Sequence, residues 1–180
     1  EATVDATSDG TGTAVDSKTI AHTCSGTQRL LVVGVALNDS SSPADPTGVT
    51  YNSDALTKAG TTGNFGSYNR VSIWYRIAPD TGTNNTVVTL DSAVGSVHVS
   101  AISFTGIDHT NPLGTFVSAT ASSTAPTVTT TTVAGDYVFD MVGGHGTDAA
   151  TVGTNQTQLT NATTTYSGQS LRSASSREIA

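Results

Sequence analysis

The sequence predicts an all-β protein, a two-sheet antiparallel β-sandwich with jelly-roll-like character, in a single domain of residues 1–180. Short apolar, β-branched runs alternate with stretches rich in Gly, Asn, Asp, Ser and Thr, at the spacing typical of sandwich strands and turns. No stretch keeps the apolar period of a helix between caps. Threonine fills roughly a fifth of the chain, well above average usage, and its branched Cβ packs well on a pleated surface.

The first predicted strands lie in the N-terminal third of the chain. Residues 3–7 fit an edge strand, and residues 16–23 fit a second strand with alternating side chains. Residues 30–37 are apolar on both faces, which is typical of a central strand. Two short strands at residues 49–51 and 55–59 flank a tight turn.

The middle of the chain continues the pattern. Residues 70–77 alternate, with Val71, Ile73 and Tyr75 on one face and Trp74 on the other. Further strands are predicted at 86–90, 97–104, 127–133 and 137–142, and the run at 97–104 is a second central candidate. After Gly143 the pattern weakens, and residues 156–159 are the one further strand that we predict.

Composition excludes some partners and favours an environment. A formal net charge of -7 and a pI near 4.7 leave no basic patch for nucleic acid. No window approaches the ~18 consecutive apolar residues of a membrane span, so membrane insertion is not expected. Low charge and high Thr, Ser and Asn content favour an extracellular protein, on a cell or virion surface. The chain starts at Glu1 rather than Met, which suggests a processed or excised product.

Several segments together resemble a known class of module. They are RLLVVGV at 29–35, VTYN at 49–52, ALT at 55–57, VSIWY at 71–75, AP at 78–79, SFTGID at 103–108, NPLG at 111–114 and GDYV at 135–138. This set is similar to β-sandwich modules of secreted bacterial proteins and phage structural proteins. The resemblance covers most of the chain and implies a jelly-roll-like or lectin-like sandwich, but no activity.

The end of the chain departs from that class. Such modules finish with one or two more apolar strands, whereas this chain ends in the polar run SSREIA. Either the chain is a fragment or its final strand position is empty. An empty position exposes unpaired backbone groups, which a strand of a neighbouring copy could fill. Residues 1–8 are the expected donor, or else an edge strand of their own sheet.

Reactive side chains are sparse. Cys24 is the single cysteine, two residues after His22, and we expect a buried structural pair that shares a strand face rather than a nucleophile and its base. An intermolecular disulfide through Cys24 is the alternative. Neither zinc spacing nor a pair of catalytic carboxylates is recognisable, so we expect no enzyme, no metal site and no required cofactor. A structural Ca²⁺ bound by loop aspartates is the alternative. These residues are Asp39, Asp45, Asp80, Asp91, Asp108 and Asp148.

The candidate binding site is an aromatic cluster. Trp74 lies opposite the apolar stripe of its strand, beside Arg76, and Phe65 and Tyr68 occupy the preceding loop. Exposed aromatic rings stack on the apolar faces of sugars, so these four residues are the predicted carbohydrate site. The alternative is that Trp74 packs under a loop or against a neighbouring subunit, as buried tryptophans usually do.

Four asparagines fit the acceptor pattern for N-glycosylation. They are Asn38, Asn84, Asn155 and Asn161. In a chain so rich in Asn and Thr, chance matches are expected.

Two functions follow. The first is a non-enzymatic extracellular structural protein, a homo-oligomeric or polymeric subunit of a surface filament, sheath or viral appendage that assembles through β-strand or edge contacts. The second is a carbohydrate-binding or adhesion module that uses exposed aromatic residues.

Overall fold

A computed structural model describes residues 1–66 and 68–180 and confirms the fold class: the chain is all-β, with two antiparallel sheets. The described ranges contain no helix long and apolar enough to cross a membrane. They form ten strands: β1 (Thr3–Cys24), β2 (Leu30–Asn38), β3 (Gly48–Tyr51), β4 (Asp54–Ala55), β5 (Thr57–Thr61), β6 (Asn69–Ile77), β7 (Gly82–Thr105), β8 (Tyr137–His145), β9 (Thr157–Tyr166) and β10 (Gln169–Ile179).

The first sheet is organised around β7, its longest strand. Its order is β4-β3-β7-β2-β6-β5, and β1 pairs with β7 as well. β1 follows β7 from Thr3↔Thr105 to Cys24↔Gly82. On its other margin, β7 pairs first with β3 and then, further along, with β2. The long β1–β7 pair therefore connects the part of the sheet that contains β3 to the part that contains β2.

This β1–β7 ribbon bends at its middle. In β1, Ala14 has a φ of 51° and the pairing slips between Val15 and Ser17. Beyond the bend the two halves of β1 face each other: a Cβ on Gly10 would lie 2.7 Å from Cγ2 of Ile20. Glycine is required at this close approach because any side chain would collide. The bend folds the first sheet over itself into two layers.

Strand β2 lies in the layer that is covered on both sides. All nine of its residues are buried, which confirms the central position predicted from its apolar faces. One face, with Leu31 and Val33, lies in the core between the two layers of the first sheet, together with Tyr51 and Val88. The turn before β4 has Asn52 and Ser53 at φ of 51° and 71°, as a tight hairpin turn of primed type requires.

The second sheet, in the order β8-β10-β9, covers the other face of β2. β8 lies over β6 and β2, and β9 lies over β7 and β1. Near one end the contact is apolar, with Val32 and Phe104 in one cluster with Tyr137 and Phe139. Towards the other end it is polar, since His98 Nδ1 lies 2.6 Å from Oγ of Ser173 on β10.

Four features differ from the prediction. The run at 55–59 is divided between β4 and β5, and β5 pairs with β6. The runs at 3–7 and 16–23 belong to one continuous strand, β1, and those at 86–90 and 97–104 belong to β7. Residues 127–133 form no strand; most of their side chains are exposed and no neighbouring strand pairs with them. β-branched threonines alone do not make a strand when nothing covers one of its faces.

The fourth difference lies after Gly143. These weakly periodic residues supply two full strands, and β10 is the middle strand of the second sheet. The end of the chain thus occupies an interior position. Residues 3–8 lie in β1 and pair with β7 of the same chain, which is the edge-strand alternative stated above.

Packing of the second sheet onto β2 can be tested at Gly34. A Cβ there would lie 3.1 Å from Met141 Cβ and from Phe139 Cζ, so Gly34→Val overpacks the layer and should lower the free energy of unfolding by about 1–3 kcal/mol. Gly48→Val is the matched control, since a Cβ at Gly48 meets nothing within 4 Å. Urea unfolding of both variants measures the difference, and equal stabilities would contradict this packing.

Candidate functional site

The first half of β1 (residues 3–13) is the candidate functional element. It forms the margin of the first sheet and pairs only with β7 within the described residues. Val4 and Ala6 are its only apolar side chains larger than glycine, and Val4 merely packs at the border of a core cluster. The segment is held by its backbone ladder and by polar side-chain contacts.

Asp5 makes the densest of these contacts. Its Oδ2 accepts hydrogen bonds from the backbone N–H of Ser25 at 2.8 Å and from Oγ of Ser103 at 2.8 Å, and Ser25 Oγ also donates to the carboxylate. Burial by itself raises the pKa of Asp5, but the bonds from Ser25 and Ser103 outweigh it and the pKa lies below its ordinary value. Asp5 therefore stays ionised and ties β1 to two neighbouring segments.

His22 lies beneath the first half of β1, in the second half of the same strand. Its side chain is buried, and Nδ1 lies 2.8 Å from Oγ of Ser8. Within the described ranges, Nε2 has no hydrogen-bond partner. Burial lowers the pKa of His22 to about 4, against an opposing effect of the nearby Asp5 carboxylate. The imidazole is consequently neutral at pH 7, and Ser8 bridges the two halves of β1.

Cys24 is completely buried on the same strand face as His22, as expected of a structural pair. Burial raises the pKa of the thiol, and the hydroxyls of Tyr51 and Ser103 only partly oppose this. The Tyr51 hydroxyl lies 2.7 Å from the Gly82 carbonyl oxygen, and burial raises its pKa to about 12. A protonated, enclosed thiol is a poor nucleophile. Cys24 and Tyr51 instead fill one end of the core.

A second buried histidine meets β1 from the other side. Asp9 Oδ2 lies 3.5 Å from Nε2 of His98, whose Nδ1 contacts Ser173. Burial lowers the pKa of His98; Asp9 opposes this effect and the Arg172 guanidinium adds to it. The first half of β1 thus contacts two buried histidines, His22 through Ser8 and His98 through Asp9.

The structure separates the four residues of the predicted aromatic platform and places Trp74 as the stated alternative has it, in the core. Trp74 is only 7% exposed and lies in the core, where Nε1 donates to Ser72 Oγ at 2.9 Å. Arg76 is paired with Asp54. Phe65 and Tyr68 are exposed in the loop before β6, roughly 20 Å along the strand from Arg76 at ~3.3 Å per residue. Alternation placed Trp74 opposite the apolar stripe, but both faces of β6 are covered.

A shallow groove lies beside Phe65. It has a volume of about 330 Å³ between the β5–β6 loop, the end of β8 and residues 119–126, and its lining includes Arg70 and His145. Arg70 is fixed there, since its Nη1 lies 3.1 Å from Asp45 Oδ1 and its Nε donates to Asn64. The groove combines the Phe65 ring and the His145 imidazole with hydroxyl and amide groups.

The predicted glycosylation sites fall in different environments. Asn38 is fully buried and donates to Asn69 Oδ1, so the folded protein cannot accept a glycan there. Asn84 is half-buried and donates to the Tyr51 hydroxyl. Asn155 and Asn161 are exposed. Only the last two positions offer an open surface to a modifying enzyme.

The aspartates considered for Ca²⁺ do not converge. In the part of the chain that the structure describes, no group of three or more His, Cys, Asp or Glu side chains is placed to hold a metal ion. Asp45 is instead engaged with Lys58 and Arg70.

Sequence reasoning missed several residues of this site. Asp5, Ser8, Asp9 and Ser103 carry no motif, and their contacts join residues 14 to 98 positions apart. A signal was nevertheless present: His22 alternates into the predicted core face of its strand, and a buried imidazole requires polar partners.

The comparisons with known proteins add no relative. No family model matches the chain, no curated protein matches it, and no solved structure matches it.

The buried histidines make stability depend on pH. The pKa of His22 is about 4 in the folded protein against an ordinary 6.5, so the unfolded state binds more protons between these values. The free energy of unfolding should therefore fall as pH falls from 6.5 to about 4, by about 3 kcal/mol for His22; His98 acts in the same direction. Below that window, protonation of Asp5 removes further stability.

Urea unfolding from neutral pH to about 4 measures this slope. His22→Gln should lose most of the dependence assigned to His22, whereas His145→Gln, at an exposed position, should retain all of it. Equal slopes for wild type and His22→Gln would contradict the assignment.

Proposed function

We propose that this protein is a non-enzymatic structural subunit of an extracellular assembly, a surface filament, sheath or viral appendage. Copies are joined by exchange of the first half of β1. The observation that carries the proposal is that residues 3–13 form a marginal, almost wholly polar strand attached to the rest of the chain through a bend.

The energetics favour exchange. Residues 3–13 themselves carry few apolar side chains, so their attachment rests mainly on the ladder with β7 and the contacts of Asp5, Ser8 and Asp9. Regions with few buried apolar contacts open at a free energy well below that of global unfolding. The same bonds re-form when the equivalent segment of another copy occupies the position, and donor and acceptor are then equally satisfied.

The bend supplies the hinge. Ala14 adopts a positive φ, and the ladder is interrupted between Val15 and Ser17. A change of backbone angles at these residues redirects the segment without disturbing the second half of β1. Exchange from each copy to the next is heterologous and open-ended, and builds a filament, whereas reciprocal exchange gives a closed dimer.

Other features support this environment and role. The charged share is 12%, with a formal net charge of -7, so copies repel weakly and remain soluble. The one thiol is enclosed and protonated, and so compatible with oxidising surroundings. Aligned ladders over three layers resist shear through many backbone hydrogen bonds.

A disulfide between β1 and β7 tests exchange. Thr3 and Thr105 are cross-strand partners whose Oγ1 atoms lie 2.9 Å apart, so Thr3→Cys with Thr105→Cys can be bridged. Wild type should form long assemblies by negative-stain microscopy. The oxidised double variant should not, because its segment is tied to its own chain, and reduction should restore assembly.

Thr3→Ser with Thr105→Ser, oxidised in parallel, is the matched control and should assemble like wild type. Long assemblies from the oxidised cysteine variant would exclude strand exchange. A wild type that is monomeric at every concentration would exclude the filament.

A second candidate function is favoured by the groove beside Phe65. A neutral oligosaccharide is the fitting ligand, because the exposed Phe65 ring accompanied by hydroxyl and amide groups suits an apolar sugar face and its hydroxyls. Arg70, held by Asp45, fixes one wall. This site replaces the platform around Trp74.

Calorimetric titration with neutral polysaccharide fragments tests the groove. Phe65→Ala should weaken binding by about tenfold or more, since a central aromatic contact carries much of the binding energy. Tyr166→Ala removes an equally exposed ring at the end of β9 and should leave affinity unchanged. Unaltered binding by Phe65→Ala would show that the oligosaccharide does not bind in this groove.

A further inference from the structure

The outer margin of β9 is open. Among the described residues β9 pairs only with β10, and no other backbone hydrogen bond reaches Thr157–Tyr166. Every second residue of such a strand directs both its N–H and its C=O away from the sheet. An edge of this kind is a template for another strand unless it is protected.

The other margins carry recognised forms of protection. β1 has pairing shifts after Val4 and Val15, and it bears charged side chains. β4 has two residues, and β5 has five with a pairing shift after Lys58. β8 carries Asp140, and its last residues lie along the groove beside residues 119–126. Charges, bulges, short length and covering loops all discourage pairing between edges.

β9 has few of these devices: the loop before it meets the strand at Asn161, whose Nδ2 donates to the Ala150 carbonyl oxygen at 2.7 Å. Thr157–Tyr166 contains no charged residue, no glycine and no proline, in a chain whose net charge is -7. Its single pairing shift lies at the start, between the partners of Ser175 and Ser176 on β10. Residues 160–166 therefore present seven regular, uncharged positions.

We propose that β9 pairs antiparallel with β9 of a second copy across a two-fold axis and joins the two second sheets into one of six strands. A second copy is the fitting partner because any antiparallel register over residues 160–166 brings only Thr, Asn, Ala and Tyr opposite one another. Thr–Thr pairs across strands are favourable, and a two-fold contact between identical segments is complementary to itself.

The expected dimer is reversible and concentration-dependent. One pair of edge strands buries less than the ~1,000 Å² of a stable interface, so affinity comes mainly from the backbone ladder. The contact differs from strand exchange, because β1 takes no part in it. In a filament it would join two chains side by side, but it does not require one.

Sedimentation of the chain locked by the oxidised Thr3→Cys, Thr105→Cys bridge separates the two proposals, because exchange is blocked there while β9 stays free. The locked chain should be in monomer–dimer equilibrium. Adding Asn161→Lys and Thr165→Lys, both at exposed positions, should weaken dimerisation by about tenfold or more. Thr19→Lys with Thr89→Lys adds the same charge at exposed sites of the first sheet and should leave it unchanged.

Cross-linking gives a readout that does not rest on a destabilising variant. A disulfide-linked dimer should form rapidly from Thr163→Cys, near the middle of β9, and slowly from the exposed control Thr89→Cys. A locked chain that stays monomeric at all concentrations would overturn the proposal, as would equal effects of the two lysine pairs or equal cross-linking rates. Long assemblies that persist in the locked chain, together with its dimer, would refute strand exchange alone, whereas a locked chain that gives the dimer and no filaments agrees with both proposals.

Discussion

The paired and bent β1–β7 ribbon is the constraint on which the rest of the structure depends. The two strands stay in register from Thr3↔Thr105 to Cys24↔Gly82 apart from two local shifts. A continuous ladder that turns once places its own two halves face to face, so a single sheet provides two layers. The layers come close because Gly10 and Gly12 have no side chain at the crossing. The core around Val33 and Tyr51 is enclosed by that fold.

The second sheet is attached by an interface that changes character along its length. Phe139 packs on the apolar end, while Ser173 and Ser175 contact His98 and Ser100 at the polar end. Short hydroxyl groups let two sheets approach closely, and each buried hydroxyl needs a partner across the gap. Such pairing fixes the relative position of the sheets more specifically than apolar packing does.

Most of the architecture could be predicted from the sequence, and the site could not. Apolar runs such as residues 30–37 report burial directly, so the central strand and fold class were predictable. β10 was missed because it buries serines, whose burial depends on partners distant in sequence. Trp74 was misplaced because alternation shows that two faces differ and does not show that both are covered. The contacts of Asp5 depend on the bend, which no local pattern encodes.

The enclosure of Cys24 means that its reaction with an alkylating reagent reports local opening of the protein. The thiol lies behind β1 with no exposed surface, next to the Asp5 contacts that hold the first half of that strand. An alkylating reagent can reach the thiol only when the structure around it opens, and detachment of the first half of β1 is one such opening. The labelling rate of a single native atom therefore counts spontaneous openings, in a chain without any added probe.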